Sequence, residues 1–192
     1  TTITTQDGAF ALSLDLLPNT QSFLDVFTTA HNGQGLSSAP AEITIVHDNI
    51  PPVVSNLQPL SGSFLNTRTP LISSDFIDAG SGVETTKVKI QLDGLDVIPQ
   101  ILTPTGFTFT PSALSEALHT VVVTLFDRAG NATSTSTSFT VDVTAPDTQI
   151  LNGPLGEIGE TTAIFTFAGI DNLTPAGSLQ FSWRLDGGAW SA

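Results

Sequence analysis

Apolar and polar residues alternate with a period of two along most of the chain, which predicts strands rather than helices. In "TKVKIQLDG" (86–94), Val88, Ile90 and Leu92 fall on one side and Lys87, Lys89 and Gln91 on the other. In "HTVVVTLFD" (119–127), Val121, Val123 and Leu125 alternate with Val122, Thr124 and Phe126. "GFTFTP" (106–111) puts Phe107 and Phe109 on one face, and further strand patterns run over 53–59, 70–78 and 132–141. Turn signals at 60–63, 79–82 and Asp93-Gly94 separate them, because Gly and Asp accept the backbone conformations that tight turns need. About seven short strands at this spacing predict an all-β sandwich. Its predicted core holds Val54, Leu57, Ile72, Phe76, Val88, Ile90, Leu92, Phe107, Phe109, Val121, Val123, Leu125, Phe139 and Val141. The Thr/Ser ladder at 132–141 reads as a final edge strand, and "PSALSEALH" (111–119) as at most one helical turn between the sheets.

The pattern repeats. "HDNIPP" (47–52) is echoed by "VDVTAP" (141–146), aligning Asp48 with Asp142 and Pro52 with Pro146. "PLISSDFID" (70–78) is echoed by "AIFTFAGID" (163–171), and "KIQLDGLD" (89–96) by "SWRLDGGA" (182–189). The offsets agree at about 94 residues, the size of one small domain. Residues 1–49 therefore read as the back half of a domain, 50–145 as a whole one, and 146–192 as the front half of a third. The opening "TTITTQDG" reads as mid-domain, as in an excerpt of a longer protein. Trimming of a long array accounts for such ends. A head-to-tail filament, in which one unit's front half completes another's back half, is the alternative.

Composition narrows the function classes. Hydrophobic residues make up 40% of the 192, enough for a packed core. Five Lys+Arg against eighteen Asp+Glu give a net charge of −13, which disfavours nucleic acid and anionic membrane surfaces. Such a chain attracts cations, calcium above all, since calcium prefers clustered carboxylate and carbonyl oxygens. With no cysteine there is no disulfide, thiolate metal site or thiol nucleophile. No apolar run reaches membrane-spanning length.

The stretches "HTVVVTLFDRAGNATSTSTSFTVDVTAPD" and "DNIPPVVSNLQPLSGSFLNTRTPLISSDFIDAGSGV" resemble the end and the start of bacterial immunoglobulin-like (Big) repeat domains. "GETTAIFTFAGIDNLTPAGSLQFSWRLDGGAWSA" is similar to the front of a related subtype, whereas "FTTAHNGQG" (27–35) departs from the Asp-x-Ala-Gly-Asn turn. The resemblance implies tandem Ig-like Greek-key β-sandwiches, the end ones incomplete, in large adhesins and extracellular cell-surface proteins. It also implies a stalk that presents a distal region, with neighbouring repeats as partners and calcium near some domain junctions.

Candidate sites are few. Asp48, Asp75, Asp78, Asp127 and Asp142 fall near strand ends and linkers, where carboxylates could hold calcium, although no contiguous calcium loop is present. Asp127, Gly130 and Asn131 also suit a plain hairpin turn. Trp183 alternates with Phe181 and Leu185 and reads as core, whereas Trp190 follows a turn and is the candidate ligand-binding aromatic of a carbohydrate-binding module. His31, His47 and His119 form no metal pair, and His119 reads as a surface residue. Asn131-Ala-Thr and Asn172-Leu-Thr match glycosylation acceptors that read as incidental. No nucleophile elbow or paired-carboxylate site is suggested, so the chain is expected to be non-catalytic. Short Pro-containing linkers at 49–52 and 144–147 are expected to stiffen the joints.

Overall fold

The computed structural model describes residues 3–4, 10–29 and 34–191. Its strands are β1 (Ile3–Thr4), β2 (Phe10–Ala11), β3 (Thr20–Val26), β4 (Ala41–His47), β5 (Val53–Gln58), β6 (Ser63–Leu65), β7 (Ile72–Ile77), β8 (Lys89–Leu92), β9 (Leu95–Asp96), β10 (Ile101–Thr103), β11 (Gly106–Phe109), β12 (Leu118–Phe126), β13 (Ala132–Val141), β14 (Asp147–Asn152) and β15 (Thr166–Ile170). Among the described residues the helical content is two short 3-10 turns, Thr85–Lys87 and Ala176–Ser178. The segment 111–117 forms no helical turn, within the expectation of at most one. It runs as an irregular loop tied to its neighbours, with Leu114 N–H donating to Arg68 O and Ala117 O accepting from Val141 N–H.

Between residues 53 and 141 the chain builds two facing sheets. One has the order β10-β11-β7-β5 and the other β6-β13-β12-β8-β9. All neighbours are antiparallel except β6, which runs parallel to β13 with Phe139 opposite Ser63. The chain crosses repeatedly from one sheet to the other, as a Greek-key sandwich requires. Strand β13 is thus an edge along most of its Ser/Thr ladder, paired only with β12 there, and is covered by β6 at Phe139–Val141. The crossing at 59–62 brings β6 alongside it, with Gly62 N–H donating to Ser138 O at 2.8 Å.

Inward-facing residues of both sheets form one core. Ile72, Phe76, Ile90, Leu92, Phe107, Val121, Val123, Leu125, Phe139 and Val141 are buried as expected, joined by Val83. Val54, Leu57, Val88 and Phe109 pack against it half-buried. Burying each large apolar side chain contributes roughly 1.5–3 kcal/mol, so β12 and β13, which carry five of these residues, anchor the sandwich. The turn after β8 shows why Asp93-Gly94 was legible. Both residues have positive φ, 53° and 80°, the pairing a two-residue hairpin needs.

Antiparallel strand pairs lie on either side of this unit, β1 with β2 and β3 with β4 before it and β14 with β15 after it. Strands β3 and β4 pair from Thr20↔His47 to Val26↔Ala41. Strands β14 and β15 pair with Asp147 opposite Ile170 and a bulge near Asn152. Within the sandwich, β5 and β7 pair with Val53 opposite Ile77 and a bulge after Ser55.

Candidate functional site

At the pole of the sandwich where β5 begins, three carboxylates from three segments converge. Asp48 lies in the linker after β4, Asp78 follows β7, and Asp127 follows β12; one carboxylate oxygen of each lies within 4.8 Å of the others. Local backbone geometry places all three. Asp127 extends the inward alternation of Val121, Val123 and Leu125 and is fully buried. Its Oδ1 accepts from Gly130 N–H at 2.6 Å and Asn131 N–H at 2.8 Å, and its Oδ2 from Asn131 Nδ2 at 2.7 Å. Asp78 caps the 79–82 turn, its Oδ1 accepting from Gly80 N–H at 3.1 Å and Gly82 N–H at 2.6 Å. Asp48 accepts from Ile50 N–H at 3.0 Å and Ser81 N–H at 2.6 Å. The Ser81 N–H, then that of Ile50, hold the Asp48 carboxyl below its ordinary value.

The cluster is therefore a junction between the linker and the sandwich. Asn131 Nδ2 also donates to the Asp48 carbonyl at 3.1 Å, tying the β12–β13 turn to the linker. The 79–82 turn docks on the same turn, with Ala129 N–H donating to Ser81 Oγ at 3.1 Å. Gly80 leaves room for this contact, because a Cβ there would push the Asp48 carboxylate out of its present place. One corner of the cluster has no donor. Asp78 Oδ2 is buried without a hydrogen-bond partner.

The other sequence-selected acids lie elsewhere. Asp75 projects from mid-β7 and its Oδ2 accepts from Asn56 Nδ2 at 2.7 Å. Asp142 sits just past β13 at the opposite pole, donating its N–H to Leu65 O while its Oδ1 is buried without a partner. At that pole a second junction forms around Glu116, which pattern reading missed because it lies on an irregular loop. Its carboxylate pairs with the Arg68 guanidinium and accepts from Thr144 Oγ1 and Asn172 Nδ2, each at 2.7 Å. Thr144, then Asn172, hold the Glu116 carboxyl below its ordinary value. Nearby, Asp171 Oδ2 accepts from Leu173 and Thr174 N–H, and its Oδ1 is buried without a donor.

Three further expectations meet the structure here. His119 is not a surface residue but only 5% exposed, sharing the inward face with Val121. Trp183 is 63% exposed rather than packed in a core. Trp190 is 61% exposed, with the Arg184 guanidinium 4.7 Å above its ring centre. His47 Nδ1 accepts from Asn19 N–H at 3.0 Å, and His31 lies outside the described residues. Among the described residues no helix is long and apolar enough to cross a membrane.

The strand order of the two facing sheets, with a first strand divided between them, defines an immunoglobulin-like β-sandwich. Residues 65–143 match the family model of the bacterial Ig-like domain, which supports a domain of that kind over this segment. Domains of this family typically occur in cell-surface proteins and are generally non-catalytic. No curated protein matches the chain. Solved structures similar to it include CopC from Methylosinus trichosporium OB3b, 19% identical with a TM-score of 0.39 over 47% of this chain and 93% of that one. Dimeric latent PorU from Porphyromonas gingivalis is 18% identical with a TM-score of 0.43, over 78% of this chain and 16% of that one. SGBP-B of the Bacteroides ovatus mixed-linkage glucan utilization locus, solved with a mixed-linkage heptasaccharide, is 12% identical with a TM-score of 0.26, over 68% of this chain and 44% of that one.

Proposed function

We propose that the chain is a non-catalytic spacer of tandem Ig-like units in a bacterial surface protein, presenting a distal region on joints held by calcium. The convergence of Asp48, Asp78 and Asp127, with one buried oxygen that no N–H satisfies, carries this reading. Calcium takes six to eight oxygen ligands, and the three carboxylates would supply part of that set with solvent completing it. Bound there, the ion would link the linker residue Asp48 to two loops of the sandwich and restrict the joint.

The tandem arrangement is supported by the flanking strand pairs. Asp147↔Ile170 repeats the register of Val53↔Ile77, and each strand pair carries a bulge. Asp171 follows β15 as Asp78 follows β7, with turn N–H groups on one oxygen and a buried, unpartnered second oxygen. The boundaries 1–49, 50–145 and 146–192 follow from that repeat.

Thermal melts of the chain in millimolar calcium and in excess EDTA test the reading. The midpoint should rise with calcium, and Asp78→Asn should abolish the rise while still folding, since Oδ1 retains its two N–H donors. An identical midpoint in calcium and EDTA would remove the calcium-held joint.

A further inference from the structure

We propose that His119 is a pH-sensitive latch, tying the loop that carries Glu116 to the sandwich and so setting how firmly the domain grips the segment that follows it. The geometry requires an unusual protonation state. The Nδ1 of the ring lies 2.7 Å from Asp93 Oδ2, and the Nε2 lies 3.0 Å from the Ser115 carbonyl oxygen. Both neighbours are acceptors, and a neutral imidazole has only one N–H to give. Only the imidazolium satisfies both.

When the ring loses a proton, the carboxylate keeps the remaining N–H at Nδ1. The Nε2 lone pair then faces the Ser115 oxygen, and the tie to the loop becomes a repulsion. Asp93 stays in place, because its other oxygen accepts from Thr120 N–H at 2.8 Å. The groups facing the ring are Asp93 from the β8–β9 turn, the Ser115 carbonyl from the loop, and Phe139 from β13, 5.7 Å between ring centres. Asp93 is the one titratable group against the ring among the described residues. Burial of the ring, the largest single effect, favours the neutral form. The Ser115 carbonyl and Asp93 together outweigh it, and the net shift of His119 is upward from 6.5.

The latch reaches the joint through one peptide bond. Glu116, next to Ser115, grips Thr144 of the linker and Asn172 beyond β15. The loop's other ties, to Arg68 and Val141, do not titrate in the range where a histidine does. The loop should therefore loosen as pH rises, and with it the hold on 144–172. This device does not depend on calcium, and it is tested in EDTA.

The chain has no cysteine, so spin labels can be placed by Ser136→Cys on the exposed face of β13 and Gln149→Cys on exposed β14. The label-to-label distance distribution should be narrow at about pH 5.5 and broaden by about pH 8.5, on either side of an ordinary histidine. His119→Gln should remove the pH response and His47→Gln should keep it. Nitrogen NMR of the unlabelled chain should find His119 protonated on both nitrogens and titrating above 6.5. This measurement stands even where His119→Gln fails to fold. A distribution of equal width at both pH values, or a His119 that titrates at or below 6.5, overturns the proposal.

Discussion

Asp127 and His119 face inward for the same reason. They bracket Val121, Val123 and Leu125 in the alternation of β12, and all five are buried. A buried carboxylate is tolerated only when donors surround it, and the β12–β13 turn supplies three to Asp127. Asp127→Ala would strip the acceptor from two backbone N–H groups and the Asn131 amide. The expected cost is about 2–4 kcal/mol, read as a lower urea midpoint. A loss under about 0.5 kcal/mol would mean that water replaces the carboxylate without penalty. Both positions were legible in the alternation, had it been carried one step past the apolar run at each end. Residue type obscured them, since an Asp or His at a strand end usually meets solvent.

At the scale of elements, the core was readable because β7, β8, β11 and β12 pack one face and show the other, and that periodicity is written locally. What is not local is written there only in part. The Ser/Thr ladder marks a water-facing edge over most of β13, while Thr137, Phe139 and Val141 turn into the core. Its second neighbour, β6, arrives from residues far away in the chain, and no pattern within 132–141 announces it. The segment 111–117 shows the complementary case. Its Leu and Ala spacing suits a helical turn, but hydrogen bonds to Arg68 and Val141 hold it as an irregular loop. The acid cluster was half legible: each aspartate marks a turn or linker, but which three meet depends on how the sheets stack. Glu116 carried no signal at all, because its partners come from β6–β7, the linker and the segment after β15.

For the whole molecule, the titrating groups set a pH window. Asp48 and Asp171, ordinarily at 3.8, and Glu84 and Glu116, ordinarily at 4.5, are all depressed in the fold. Their stabilisation is complete above those ordinary values and is lost as pH falls through the depressed ones. His119 is raised from 6.5, so its contribution is complete below 6.5 and is lost as pH rises through its elevated value. Urea midpoints measured against pH should therefore form a plateau between 4.5 and 6.5, falling on both sides. A midpoint that keeps rising from pH 6.5 to the alkaline side would contradict the His119 assignment.

The parallel contact of β6 with β13 has a mechanical consequence. Tension applied through the two linkers pulls the start of the domain and its end in opposite directions. Because those two strands point the same way, that load slides one along the other and strains their hydrogen bonds together, among them Gly62 N–H to Ser138 O and Asp142 N–H to Leu65 O. Bonds sheared as a group yield at a higher force than bonds peeled one by one, so the unit should resist stretching and then give way abruptly. Single-molecule pulling would record this as one sharp force peak per unit, and a smooth extension without a peak would contradict it.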